Sequence, residues 1–136
     1  MRPIAIVLVL ALAACQMPVS IDTPPLVPVL NASGKAIAVE GSADVEVRTF
    51  LNVGEKRVWL EDLIGASCKL ESRHFNALTF QSPQKLQLPA LEDNTPHAKV
   101  TCSYNGETLS QAMTCYKVRG NNANCQLADV SLIFAR

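Results

Sequence analysis

Apolar and polar residues along most of this chain alternate with a period of two, in short runs cut by turn residues. Val45, Val47 and Thr49 alternate with Glu46 and Arg48. Ile64, Ala66, Cys68 and Leu70 alternate with Gly65, Ser67, Lys69 and Glu71; Ala98, Val100, Cys102 and Tyr104 alternate with Lys99, Thr101 and Ser103. Successive side chains of a strand point to opposite faces, so each run predicts a strand with one buried face. Further strands are expected over Lys56 to Leu60, over Phe75 to Phe80, and around Leu86 and Leu88 between Pro83 and Pro89. Leu127 to Phe134 is apolar enough to predict a buried closing strand. Asn105-Gly106 predicts a type I′ hairpin turn, because both central residues of that turn need positive φ. Leu109, Ala112, Met113 and Tyr116 fall at helical spacing, but a hairpin turn before them asks for a returning strand, and strand is expected. Turn signals recur about every 8–12 residues, the spacing of an all-β sandwich or barrel. The fold expected over residues 36–136 is therefore a small antiparallel β-sandwich or barrel.

The first 35 residues follow other rules. Met1-Arg2-Pro3 supplies a positive start, and Ile4 to Ala14 is an unbroken apolar run. As a helix that run covers about 16 Å, roughly half a bilayer's hydrocarbon thickness, which suits a secretory signal and not a membrane span. It ends in Leu12-Ala13-Ala14-Cys15, which resembles the bacterial lipobox at every position. The resemblance implies that the Cys15 thiol receives diacylglycerol, that residues 1–14 are cut away as a signal peptide, and that the new amine is acylated. One acyl chain binds membranes marginally, whereas two or three make release negligible. Gln16 stands where Asp retains enterobacterial lipoproteins in the inner membrane, so the resemblance implies the outer membrane. Residues 15–35 hold Pro18, Pro24, Pro25 and Pro28. Proline removes amide donors and fixes φ, so an extended spacer is expected from Gln16 to Gly34, with a reach of roughly 55 Å; the apolar Val19, Ile21, Leu26, Val27, Val29 and Leu30 leave open the alternative that part of it packs on its own domain or a partner. Asn31-Ala32-Ser33 fits a glycosylation pattern that has no meaning in a bacterial lipoprotein.

Setting Cys15 aside leaves Cys68, Cys102, Cys115 and Cys125, an even number in an exported chain. That reads as two disulfides with three connectivities open. Alternation points Cys68 and Cys102 inward and favours a bridge between them. A hairpin centred on Gly120 would set Cys115 opposite Cys125, so the favoured pairing is 68–102 with 115–125. Metal binding and thiol chemistry are the functional alternatives, but the cysteine spacing matches no Cys-x-x-Cys motif.

Charge and composition narrow the function without naming it. The chain carries 12 Lys+Arg and 12 Asp+Glu in 136 residues, scattered singly. That balance gives no basic footprint for nucleic acid and no acidic block. The two histidines, His74 and His97, each stand beside an expected strand start and read as surface loop residues. Gly65-Ala66-Ser67-Cys68 is not a Gly-x-Ser-x-Gly elbow, and alternation puts Ser67 on an outer face. No glycine run cradles a phosphate. The expectation is a chain with no catalytic residues, no metal and no cofactor beyond the acyl chains on Cys15. Trp59 falls in phase with Arg57 and Glu61, which makes it either an exposed contact residue or a cover for the open side of a small sandwich.

The segment from Gly65 through Phe75, Ser82-Pro83, Leu86, Leu88-Pro89 and Val100-Thr101-Cys102 to Asn105-Gly106 resembles the small β-domains of proteobacterial lipoproteins, and loosely the PEGA-type envelope sandwiches. That resemblance implies a disulfide-bridged β-sandwich and no activity. The chain is also similar in plan to membrane-bound lysozyme-inhibitor lipoproteins, though without their Ser-Gly loop and following Tyr. The function expected is a membrane-anchored, non-enzymatic envelope module. It would bind membrane lipid through Cys15 and an envelope protein through its domain, facing the periplasm. An inhibitor of a periplasmic or host hydrolase is the alternative, and an enzyme the third.

Overall fold

A computed structural model describes residues 19–36, 39–91, 98–113, 115–117 and 125–135; for 39–40, 90–91, 115–117 and 125–126 it describes the backbone alone. The signal peptide, Cys15 and Gln16, His97, and Gly120 with its neighbours lie outside the described residues. A four-residue helix α1 (Ala32–Lys35) precedes ten strands among those described. They are β1 (Val39–Asn52), β2 (Leu60–Leu63), β3 (Ser67–Ser72), β4 (Leu78–Gln81), β5 (Gln84–Leu91), β6 (Ala98–Tyr104), β7 (Glu107–Met113), β8 (Cys115–Lys117), β9 (Cys125–Leu127) and β10 (Val130–Ala135).

One sheet is built on the long strand β1. Its first half pairs with β5, from Val39 opposite Leu91 to Val47 opposite Gln84. Its second half pairs with β2 along one edge, Thr49 opposite Leu63, and with β10 along the other, Val47 opposite Val130 to Asn52 opposite Ala135. The second sheet runs β4-β3-β6-β7, all antiparallel, and β8 with β9 forms a separate ribbon. Alternation works as expected inside these strands. Val45, Val47, Leu86, Leu88, Val130, Leu132 and Phe134 from the first sheet join Cys68, Leu70, Ala98, Val100, Cys102 and Met113 from the second in a single buried cluster. Asn105 and Gly106 both take positive φ, 49° and 84°, so the expected type I′ geometry joins β6 to β7. The stretch at helical spacing is strand β7.

Four expectations are corrected. The domain is not wholly antiparallel: β1 and β10 run parallel. A parallel pair needs a long crossover, and here nearly the whole domain lies between the two strands. Leu127 to Phe134 is not one strand, because Ala128 and Asp129 interrupt it and the Asp129 carboxylate accepts from the Glu46 amide at 2.9 Å. That anchor turns the chain onto β1. Ile64 does not share the inner face of Cys68. Gly65 has a φ of 96° and resets the phase, so Leu63 and Ala66 are buried while Ile64 is 65% exposed. Lys56 to Leu60 is not a strand either, since β2 starts only at Leu60 and residues 53–59 form the connection.

The expected free spacer is also corrected over residues 19–36, which lie against the domain. Leu26 bridges Leu86 in parallel, with its amide on the Lys85 carbonyl at 3.0 Å and its carbonyl taking the Gln87 amide at 2.9 Å. Leu30 bridges Phe75, and Pro28 is buried. Proline does deny this segment a long strand. It still permits single bridges, and the apolar Leu26 and Leu30 pack against the core.

Candidate functional site

Two features outside the core concentrate polar or apolar chemistry: the docking seam of the N-terminal strap, and the hairpin that carries Trp59. The seam begins with Asn31. Its side-chain oxygen accepts from the Gly34 amide at 3.0 Å, capping α1, while its side-chain nitrogen donates to the Arg73 carbonyl at 2.9 Å. The Asn31 amide donates to the His74 carbonyl at 3.0 Å. His74 is buried at 4% exposure, which corrects its reading as a surface loop residue; its Nδ1 lies 3.2 Å from the Ser33 hydroxyl. Gly34 is obligatory at this contact, because a Cβ there would sit 2.0 Å from the His74 carbonyl oxygen. At the other end of the seam the buried carboxamide of Gln84 accepts from the Thr23 hydroxyl at 3.0 Å and donates to the Pro24 carbonyl at 2.9 Å. Arg48 completes the clasp: its Nη1 donates to the Val19 carbonyl at 2.7 Å while its Nε pairs with Glu46 at 3.1 Å. His74 and Gln84 thus serve to fasten the strap to the sheets.

The hairpin between β1 and β2 is closed by backbone chemistry. The Asn52 side-chain oxygen accepts from the amides of Gly54 at 3.2 Å and Trp59 at 3.0 Å, and the Val53 amide donates to the Trp59 carbonyl at 2.8 Å. Gly54 leaves no room for a side chain, since a Cβ would meet the Arg57 carbonyl oxygen at 1.7 Å. Held by these bonds, Trp59 is 64% exposed and Val58 71% exposed. Trp59 therefore covers no open side of the sheets; of its two expected roles, only that of an exposed residue fits its position.

The other residues singled out in the sequence separate cleanly. Cys68 and Cys102 face each other across β3 and β6 and form a disulfide buried in the core. This is the one bridge among the described residues, where two were expected. In the β8–β9 ribbon Cys115 stands opposite Leu127 and Cys125 opposite Lys117, so the two cysteines are diagonal neighbours and not a facing pair. The expected centre at Gly120 and the side chains of Cys115 and Cys125 lie outside the described residues. Ser67 is exposed, as its phase implied. A shallow hollow of about 410 Å³ lies over β1 and β5 beside Pro25, Asp44, Glu46, Lys85 and Asp129. Glu46 pairs with Arg48, and Asp129 is engaged by the Glu46 amide. Among the described residues, no group of three His, Cys, Asp or Glu side chains is placed to hold a metal ion.

Sequence reasoning held the docking of this segment only as an alternative and missed the polar contacts of the seam. Its signals were Asn31 three residues before Gly34, an N-cap pattern, and the apolar spacing of Leu26 and Leu30 within a proline-rich stretch. Compared with known proteins, the chain matches no family model, no curated protein and no solved structure, so the site is read from its own residues.

Proposed function

We propose that this protein is an envelope lipoprotein, moored through acyl chains on Cys15, whose β-domain acts by contact and not by catalysis. The observation that carries the reading is Leu12-Ala13-Ala14-Cys15 at the end of an apolar leader, just upstream of a domain already engaged at Val19. Residues 1–14 act as the signal peptide, and Gln16 directs the mature protein to the outer membrane with its domain toward the periplasm. The two sheets, which share one buried cluster, are read as a sandwich stapled internally by Cys68–Cys102. Such a module binds envelope proteins through its surface, without nucleic acid, metal or cofactor. His74 supports this reading because its ring and backbone are committed to the strap.

The test is fractionation of the wild type against Cys15→Ser. The wild type is expected with the membranes and with the mass of acyl chains on its first residue; Cys15→Ser is expected in the soluble fraction. Membrane association unchanged by Cys15→Ser would remove the proposal.

A further inference from the structure

The hairpin tip between β1 and β2 is a poor surface to leave in water. Val58, Trp59 and Leu60 are all exposed in succession, preceded by exposed Lys56 and Arg57. Leu60 belongs to the same face of the sheet as the strap's beginning, while Trp59 falls in the alternate phase with Glu61, beyond the end of the core. Arg48, which holds Val19, faces outward on β1; Phe50 and Asn52 follow on that face, with Leu60 opposite Asn52, and with Asp62 and the 46% exposed Ile133 on either side of Phe50. From Arg48 to Asn52 the strand advances about 13 Å. Cys15 stands four residues before Val19, and four residues extend at most about 14 Å. An acylated Cys15 therefore holds this face within one strand length of the lipid.

We propose that the Val58-Trp59-Leu60 tip is a second contact with the lipid surface, entering the boundary between headgroups and acyl chains. The proposal rests on the lipoprotein reading above. Tryptophan suits that boundary because its body is apolar and its indole N–H finds a polar partner among the headgroups. Lys56 and Arg57 can bury their stems beside it while their charges stay at headgroup level. Bonds to the Asn52 side chain and the Val53 amide fix the Trp59 backbone, so insertion has little of it left to order. Trp59 and the acyl chains together orient the domain, with the β1–β2 tip toward the bilayer.

Trp59 is the single tryptophan of the chain, so its fluorescence reports this contact alone. The experiment reconstitutes the mature protein into vesicles of phosphatidylethanolamine and phosphatidylglycerol, with and without brominated phosphatidylcholine, and takes the intact mass of the same sample. The expected result is an emission shifted to the blue and quenched severalfold by bromine in the acyl chains, at a depth of about 5–10 Å. In the double variant Val58→Asp/Leu60→Asp, quenching should fall toward that of a tryptophan in water, with the acyl mass and the circular dichroism unchanged. An unquenched, water-like Trp59 on an acylated protein overturns the lipid contact and leaves the mooring intact; so does quenching that persists undiminished in the folded double variant. Quenching without acyl mass keeps the contact and overturns the mooring. Absence of both overturns the two together.

Discussion

The two halves of β1 are alike on one face and opposite on the other. Inward, Val45 and Val47 in the first half and Thr49 and Leu51 in the second all meet the core or its edge. Outward, the first half shows Ser42, Asp44 and Glu46 beside Lys85 and Gln87 of β5, a surface made for water. The second half, beyond Arg48, shows Phe50 between Ile133 and Asp62 and leads to the exposed Leu60. A single strand thus carries a uniform interior and a divided exterior. Interior positions answer to packing, which is the same everywhere in a shared core. Exterior positions are free of it, so their chemistry reports what each half of the sheet faces.

If that division is right, inward substitutions should cost stability in either half. Phe134→Ala, behind the apolar half, and Leu86→Ala, behind the polar half, are both fully buried truncations. They are expected to lower the unfolding free energy by about 3–5 and about 2–5 kcal/mol, read from urea midpoints. A Leu86→Ala protein as stable as wild type would mean that the first half of β1 is not part of the same core. Replacing Cys68 and Cys102 together by Ala should cost somewhat less, about 3–4 kcal/mol for a bridge closing a separation of 34 residues. Treatment of the wild type with reductant should reproduce that loss.

Smaller effects sharpen the comparison at its margins. Gln84→Ala removes the clamp on Thr23 and Pro24 and should cost about 1–3 kcal/mol, with hydrogen exchange accelerated at the amides of Leu26 and Gln87 before those of β6. Uniform acceleration would instead show the strap and the sheets opening as one unit. The smallest effect is expected outward: Val58→Asp with Leu60→Asp should move the urea midpoint by no more than about 0.5 kcal/mol equivalent, since both side chains are exposed.

What could be read from residues alone follows the same division between local and non-local physics. Period-two alternation located β3 and β6 and aimed Cys68 and Cys102 inward, because pleating acts over two residues. Asn105-Gly106 announced its turn for the same local reason. The parallel pairing of β1 with β10 has no local signature, since it joins residues more than eighty positions apart. Nor does the docking of Leu26 on Leu86: proline content spoke for an extended chain, which was true, but extension leaves open what the chain lies against. His74 was misplaced because its burial depends on Ser33 and Asn31, which arrive from the other side of the sheets. Trp59 was left between two roles, and the bonds that hold its backbone outward come from Asn52 at the far end of the loop.

The meeting of β1 with β10 also sets a schedule for folding. As the chain is made the early strand emerges first, and from Val47 to Asn52 one of its edges keeps bare amides and carbonyls until residues 130–135 follow. An edge of this kind recruits any other strand nearby, so the nascent domain is at its most adhesive just before its last described strand arrives. A chain cut short before Val130 should aggregate instead of merely losing a strand.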